Sequence, residues 1–244
     1  MSARQSEMFP LRPIGRVHSP FEEKFGIPRQ PGLVHVPAVI EMLPPYAHPE
    51  MFEGLEEFSH LWISFVFHAC LEQGWRKRVR PPRLGGNAYK GVFATRSPFR
   101  PNHLGLSAVK LDRVDAGEGG VRLHIQGADL LDGTPVVDIK PYISYADSVE
   151  QANSGFAAEC PHAQLQVLFS PEAERFLAGL PDAEKRTCQL VEIISLDPRP
   201  AYRKSSGRER SWGMRFAGLN VRWEVREDQA WITDISIESG VRAS

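Results

Sequence analysis

Arg96, Ser97, Arg100, Asn102 and His103 fall within one run of eight residues, with Pro98 and Pro101 set between them. Proline fixes φ at its own position and restricts the residue before it. A turn stiffened in this way loses little conformational entropy when it binds something. The polar set is therefore read as a preorganised binding loop. A stiff connector with solvated arginines would have the same composition. Gly85 and Gly86 loosen the backbone upstream, Gly91 to Ala94 reads as a short strand into the turn, and Gly105 is expected to tighten the chain as the next strand starts.

The charge around this loop narrows the chemistry. Net charge over 244 residues is −1, yet the charge is segregated. No lysine or arginine lies between Arg29 and Arg76, a stretch that carries Glu41, Glu50, Glu53, Glu56, Glu57 and Glu72. No acid lies between Glu72 and Asp112, where Arg76, Lys77, Arg78, Arg80, Arg83, Lys90, Arg96, Arg100 and Lys110 follow one another. A field of that sign attracts phosphates whatever the total charge. Arg76, Lys77, Arg78 and Arg80 are read as contacts to an RNA backbone, although the acidic and basic segments could also pair with each other. Arg199, Arg203 and Lys204 form a second basic set.

Several classes of chemistry lack their motifs. There is no GxGxxG after a strand, no GxxxxGK[ST] and no GxSxG. His60, His68, His103 and His124 are available, but none sits in HExxH or a similar metal-ligand frame, so no metal is expected. Cys70, Cys160 and Cys188 are far apart and odd in number, which argues against a disulfide framework and for a reducing compartment. The start has no apolar core with a cleavage site, and no apolar run reaches 18 residues. The expectation is a soluble, cytoplasmic protein with no membrane role.

The positioning elements read mainly as strands: Leu11 to Ser19, His60 to Ala69, Leu106 to Val114, Val121 to Ile125 and Thr134 to Tyr142. The aromatic run from His60 is nearly continuous and predicts a strand buried on both faces, ending at His68. Val121, Leu123 and Ile125 alternate with Arg122, His124 and Gln126. Pro49 to Phe58 suits a short amphipathic helix weakened by Gly54. Many strands with turn signals and few helices predict a mainly β protein, an antiparallel barrel over residues 1–150. Residues 151–164 are small and polar and read as a linker. Residues 165–244 read as a smaller α+β unit. It has a strand from Leu165, a helix capped by Ser170 before Pro171, a helix over Asp182 to Leu196, and a hairpin turning at Glu227 to Gln229.

GVFATRSPFRPNHLGLS at residues 91–107, PRQPG at 28–32, DLLDGTPVVDIKPY at 129–142 and DPRPAYRK at 197–204 resemble the TrmO (TsaA-like) family of bacterial tRNA methyltransferases. The resemblance implies methylation by S-adenosylmethionine of N6 of threonylcarbamoyladenosine at position 37, in the anticodon stem-loop. It also implies a single-sheet β-barrel with a smaller C-terminal domain, working as a homodimer. It places the cofactor among Gln30, Pro31, Gly32, Phe67, His68, Arg96, Leu106, Asp129, Leu130, Leu131 and Asp132. Where the family commonly has Asn-Pro, this chain has Asn102-His103, so the role of His103 is open. On this reading Arg100 could hold the carboxylate of the threonylcarbamoyl group in a planar fork, and Asn102 could donate and accept at the base. Asp138 and Tyr142 are the next candidates for touching the acceptor. The C-terminal unit is expected to hold tRNA rather than cofactor. The rival readings are a noncatalytic RNA-binding β-barrel module and a small-molecule or metal-dependent hydrolase.

Overall fold

Period-two apolar patterns recur along the first half of the chain, and such patterns need a partner strand on each side. In the computed structural model, which describes residues 9–117, 119–200 and 211–237, they find it by closing on themselves. In chain order the strands are β1 (Gly15–His18), β2 (Pro37–Met42), β3 (His60–Val66), the two-residue strands β4 (Arg78–Val79) and β5 (Lys90–Gly91), β6 (Leu104–Gly117), β7 (Gly120–Gln126) and β8 (Pro135–Pro141). Six of them form a closed barrel in the order β1-β2-β7-β6-β3-β8, with every pairing antiparallel. Closure leaves no sheet edge unpaired. Val17, Ile40, Leu61, Ile63, Leu123 and Ile125 fill the interior at 0% exposure. β4 and β5 pair only with each other.

The second unit contains α1 (Ser144–Asp147) at its approach, then β9 (Gln166–Phe169), α2 (Pro171–Ala178), α3 (Ala183–Ser195), β10 (Ser211–Phe216), β11 (Leu219–Arg226) and β12 (Gln229–Ile237). Its sheet runs β10-β11-β12-β9, with β9 parallel to β12 and the other pairs antiparallel. Ser170 caps α2 as expected, its hydroxyl accepting from the Ala173 N–H at 3.2 Å, with Pro171 in the first turn. The hairpin at Glu227 is also present, with Glu227 at φ 54°.

The core of this unit is not made from its own residues alone. Phe21, Val34 and Val36, from the segment between β1 and β2, are buried in it at 1–2% exposure beside Leu190, Ile194, Val221 and Trp223. The Phe25 ring stacks on Trp223 at 5.8 Å and on Trp212 at 6.0 Å. Hydrogen bonds from backbone N–H groups fasten the same segment: Ala217 N–H donates to Pro20 O, Gly218 N–H to the Glu22 carboxylate, and His35 N–H to the Glu192 carboxylate on α3.

Several expected elements differ. The strand from His60 ends at Val66 and alternates, with Leu61, Ile63 and Phe65 buried and Trp62 and Ser64 half-buried. A closed barrel has only one core face, so the outward aromatics are left to line something else. His68 opens a 3-10 turn instead of ending the strand. Gly91–Ala94 is not a strand. Only Lys90–Gly91 pairs, and Val92–Ala94 is a 3-10 turn locked by Thr95, whose N–H and hydroxyl both donate to Val92 O. The helix expected over Pro49 to Phe58 is two short 3-10 turns, because Gly54 takes φ 79° between them. β2 and β10 were not anticipated. Gly105 does not tighten the turn. The left-handed residues are Asn102 and His103, at φ 66° and 50°. Gly105 is already in β6, paired with Phe65 of β3, and a Cβ on it would run into the Phe65 ring. The glycine is required by a close approach.

Candidate active site

The outward face of β3, the start of β6 and three loops enclose a cleft of about 700 Å³, within the usual range for small-molecule sites. Each wall has a local cause. Trp62 and Ser64 stand outward because their neighbours Leu61, Ile63 and Phe65 are claimed by the barrel core. A bulge in β8 opposite Ser64 and Phe65 leaves Val137 unpaired and turned to the cleft. The loop carrying Gln30 and Pro31 is seated through Gly32, at φ 75°, whose N–H donates to Gly127 O at 2.8 Å. Gly127 is itself at φ 75°, and a Cβ on it would meet Gly32 at 3.3 Å.

The polar groups of the cleft are tied to one another. Arg96 Nη1 donates to Gln30 Oε1 at 2.6 Å, joining two loops that are 66 residues apart. Ser107, which is 1% exposed, donates its hydroxyl to Asp129 Oδ1 at 2.6 Å. Burial pushes the Asp129 carboxyl above its ordinary value, against the opposing pull of the Ser107 bond and of the Arg96 charge. Burial also lowers the His68 pKa, helped by the positive charges of Arg16 and Lys24, so His68 is neutral at physiological pH.

Of the anticipated cofactor residues, Gln30, Pro31, Phe67, His68, Arg96, Leu106, Asp129, Leu130 and Leu131 line this cleft. Gly32 and Asp132 do not. Gly32 seats the loop, and Asp132 Oδ1 accepts from the Ser19 N–H at 2.9 Å, bracing the end of β1. Among the anticipated catalytic residues, Arg100 lines the cleft and donates from Nη1 to Thr95 O at 3.1 Å. Asn102 is exposed and outside the lining. His103 braces the turn: its ring Nδ1 bonds Pro98 O at 2.8 Å, and its carbonyl accepts from Phe67 N–H. Asp138 lies across from Ser64 and pairs with Lys140 at 3.3 Å, while Tyr142 packs on Trp62 and His60. Both flank the cleft without lining it. Sequence reading missed Ser107, Trp62 and Lys24. For Ser107 a signal existed: it shares the inward parity of Val109 and Leu111 on β6, so a hydroxyl was due inside the barrel wall.

A second hollow of about 1050 Å³ continues from the cleft and shares Arg29, Gln30, Thr95, Arg96 and Pro98 with it. Arg76, Arg78, Arg80 and Arg83 line it with Tyr89, Phe93 and Phe99. Arg76, Lys77, Arg78 and Arg80 have no acidic partner among the described residues. Arg76 lies over the Phe99 ring at 4.3 Å, and Arg78 and Arg80 lie 5.1 and 4.5 Å from the Tyr89 ring centre. The acidic segment does not neutralise them. Arg199 differs. Its side chain is only 13% exposed and forks onto the buried Asp197 at 2.7 and 3.0 Å. Arg203 and Lys204 lie outside the described residues. Also among the described residues, no three His, Cys, Asp or Glu side chains cluster as metal ligands would.

Comparison with known proteins yields matches over both units. The family model described as the tRNA-methyltransferase O N-terminal domain matches residues 16–148, and the TrmO C-terminal domain model matches residues 162–238. A relative from Escherichia coli K12, named tRNA (adenine(37)-N6)-methyltransferase, is 47% identical over 224 residues, covering 90% of this chain and 94% of that protein. A Pseudomonas aeruginosa relative, named as a putative S-adenosylmethionine-dependent methyltransferase, is 45% identical over 93% of this chain and 97% of its own length. The crystal structure of TrmO from Pseudomonas aeruginosa superposes with a TM-score of 0.76 at 37% identity, covering 96% of this chain and all of that one.

Proposed function

Because this chain belongs to the TrmO family, we propose that it transfers the methyl group of S-adenosylmethionine to N6 of threonylcarbamoyladenosine at position 37 of tRNA. The observation that carries this reading is the continuity of two unlike hollows. A small, largely apolar cleft with a few tied polar groups opens through Arg29, Gln30 and Arg96 into a trough where Arg76, Arg78 and Arg80 have no acidic partner among the described residues. A cofactor occupies the first, and the RNA that presents the base lies along the second.

The donor set suits S-adenosylmethionine. Leu106, Phe67 and Leu131 offer apolar faces to an adenine. The carboxyl of Asp129, buried at some electrostatic cost, offers an acceptor to hydroxyls or an amine. Neutral His68 adds no positive charge beside a sulfonium. When bound, the cofactor supplies an activated methyl. The residues of the chain have then to align the acceptor nitrogen, at roughly 3–3.5 Å between reacting atoms. Arg100 is anchored to Thr95 O through one nitrogen and keeps its other donors for the threonylcarbamoyl carboxylate. The target base leaves its stack to arrive there. The working unit, on the same family resemblance, is a cytoplasmic homodimer bound to the anticodon stem-loop.

The test is nucleoside mass spectrometry after incubating the purified chain with S-adenosylmethionine and tRNA that carries or lacks the threonylcarbamoyl group. Methylation is expected only with the group present, and equal methylation of both tRNAs would exclude the proposed substrate. Arg100→Lys should lower turnover by about 10²–10³, the cost of losing an aligned donor, while calorimetric cofactor affinity holds. Lysine cannot make the planar fork.

A further inference from the structure

The trough contains aromatic rings that methyl transfer itself does not use. Phe93 is 76% exposed and Tyr89 46% exposed. Single exposed apolar residues are common and carry no message alone. Phe93, however, sits on a rigid support. It is the middle residue of the turn that Thr95 locks twice onto Val92, and Val92 is 4% exposed. Around it lie guanidinium groups set over rings and, among the described residues, without acidic partners: Arg76 over Phe99, and Arg78 and Arg80 over Tyr89. A stacked guanidinium keeps its N–H edge free for phosphate.

Arginines that follow a backbone, interleaved with aromatic faces, are the equipment of a site for unpaired nucleotides. A duplex would present phosphates and sugars and leave the rings unused. The geometry points to Phe93, supported by Tyr89, as a platform on which an unpaired base next to the target stacks, with Arg76, Arg78 and Arg80 on the flanking phosphates. This rests on the tRNA reading above. Phe93 and Arg96 are three residues apart, so their backbones are within about 11 Å. A base on Phe93 therefore belongs to a close neighbour of the nucleotide entering the cleft. Extruding the target base strips its neighbour of one stacking face, and the Phe93 ring replaces that face. The platform is a positioning device, acting on the RNA and not on the reacting atoms.

Two measurements on the full-length chain test it. In methylation assays, Phe93→Ala should raise KM for tRNA roughly tenfold or more, with kcat at saturation and cofactor affinity near wild type. Phe93→Trp should behave as wild type and Phe93→Leu as the alanine variant, because leucine restores apolar bulk without a π face. In direct binding, Phe93→Ala should weaken a stem-loop RNA with unpaired loop bases but not a fully paired duplex of equal length. An unchanged KM in Phe93→Ala, full rescue by Phe93→Leu, or equal weakening of both RNAs would overturn the platform. A wild-type chain that binds the stem-loop through Phe93 but methylates no tRNA would instead refute the proposed function alone.

Discussion

The barrel core and the second core are closed by different means. The barrel strands pair around a full circle, and their own side chains fill the interior. The second core belongs to an open four-stranded sheet, and it is completed by α2, α3 and a segment borrowed from the other half of the chain. That segment, from Phe21 to Val36, also carries Gln30 and Pro31 into the cleft. One side of the site is thus built on the barrel. The other side is held twice, by Gly32 on Gly127 O and Gln30 on Arg96, and by the packing of Phe21, Val34 and Val36 in the second unit. The C-terminal unit was expected to serve tRNA and not cofactor, and the burial of Phe21, Val34 and Val36 in it argues for a share in seating the Gln30 loop.

The largest effect should come from removing residues 162–244. Phe21, Val34 and Val36 would lose their burial, at about 1.5–3 kcal/mol each. The Gln30 loop would then keep only Gly32 and Arg96 to hold it, while the barrel kept its own core. Calorimetry should show cofactor affinity falling by more than about tenfold, the effect of only 1.4 kcal/mol. Wild-type affinity in the truncated chain would mean that Gly32 and Arg96 suffice to seat the loop.

A smaller effect separates the cores within the intact chain. Trp223→Ala removes the ring under Phe25 and should cost about 3–5 kcal/mol in urea unfolding. It should also weaken the cofactor, since Phe25 lies five residues before Gln30. Ile63→Val, in the barrel, should cost about 0.5–1.5 kcal/mol and leave cofactor affinity alone. If the barrel variant impaired the cofactor more than Trp223→Ala did, the dependence on the second core would be refuted.

The smallest expected effect is a pH dependence on the barrel side of the cleft. Burial raises the folded pKa of Asp129 above the ordinary 3.8. A carboxyl shifted upward favours the folded state only while protonated. Its contribution is therefore fully present below 3.8 and is lost as pH rises through the raised folded value. Asp129→Asn should remove that segment of the stability–pH curve and be relatively more stable than wild type at neutral pH. An unchanged pH profile in urea melts would show that Ser107 and Arg96 compensate the burial in full.

Features set by neighbours in the chain were legible beforehand. Val121, Leu123 and Ile125 announced the inward face of β7, Ser170-Pro171 the start of α2, and Glu227 the hairpin. The basic window showed as a charge run, and the family motifs drew most of the cleft residues together on paper. What misled was locally plausible too. The apolar run from His60 could not say that half of it would face a cleft. Gly105 looked like a turn residue although its reason is a ring on another strand. Arg199 looked free although Asp197 holds it.

By itself, the sequence determined which residues alternate, where turns and caps fall, where positive charge collects, and to which family the motifs belong. Periodicity, proline and glycine act on the backbone within a few residues, so these features need no partner. Only the tertiary structure decided what each face meets: β1 against β8, Gln30 under Arg96, Ser107 against Asp129, and Phe21 with Val34 in the second core. These pairings join residues tens to well over a hundred positions apart. Each side chain has several equally suitable apolar or charged partners in the chain, and it is barrel closure with its strand register, and for Phe21 and Val34 the packing of the second sheet with its helices, that selects among them.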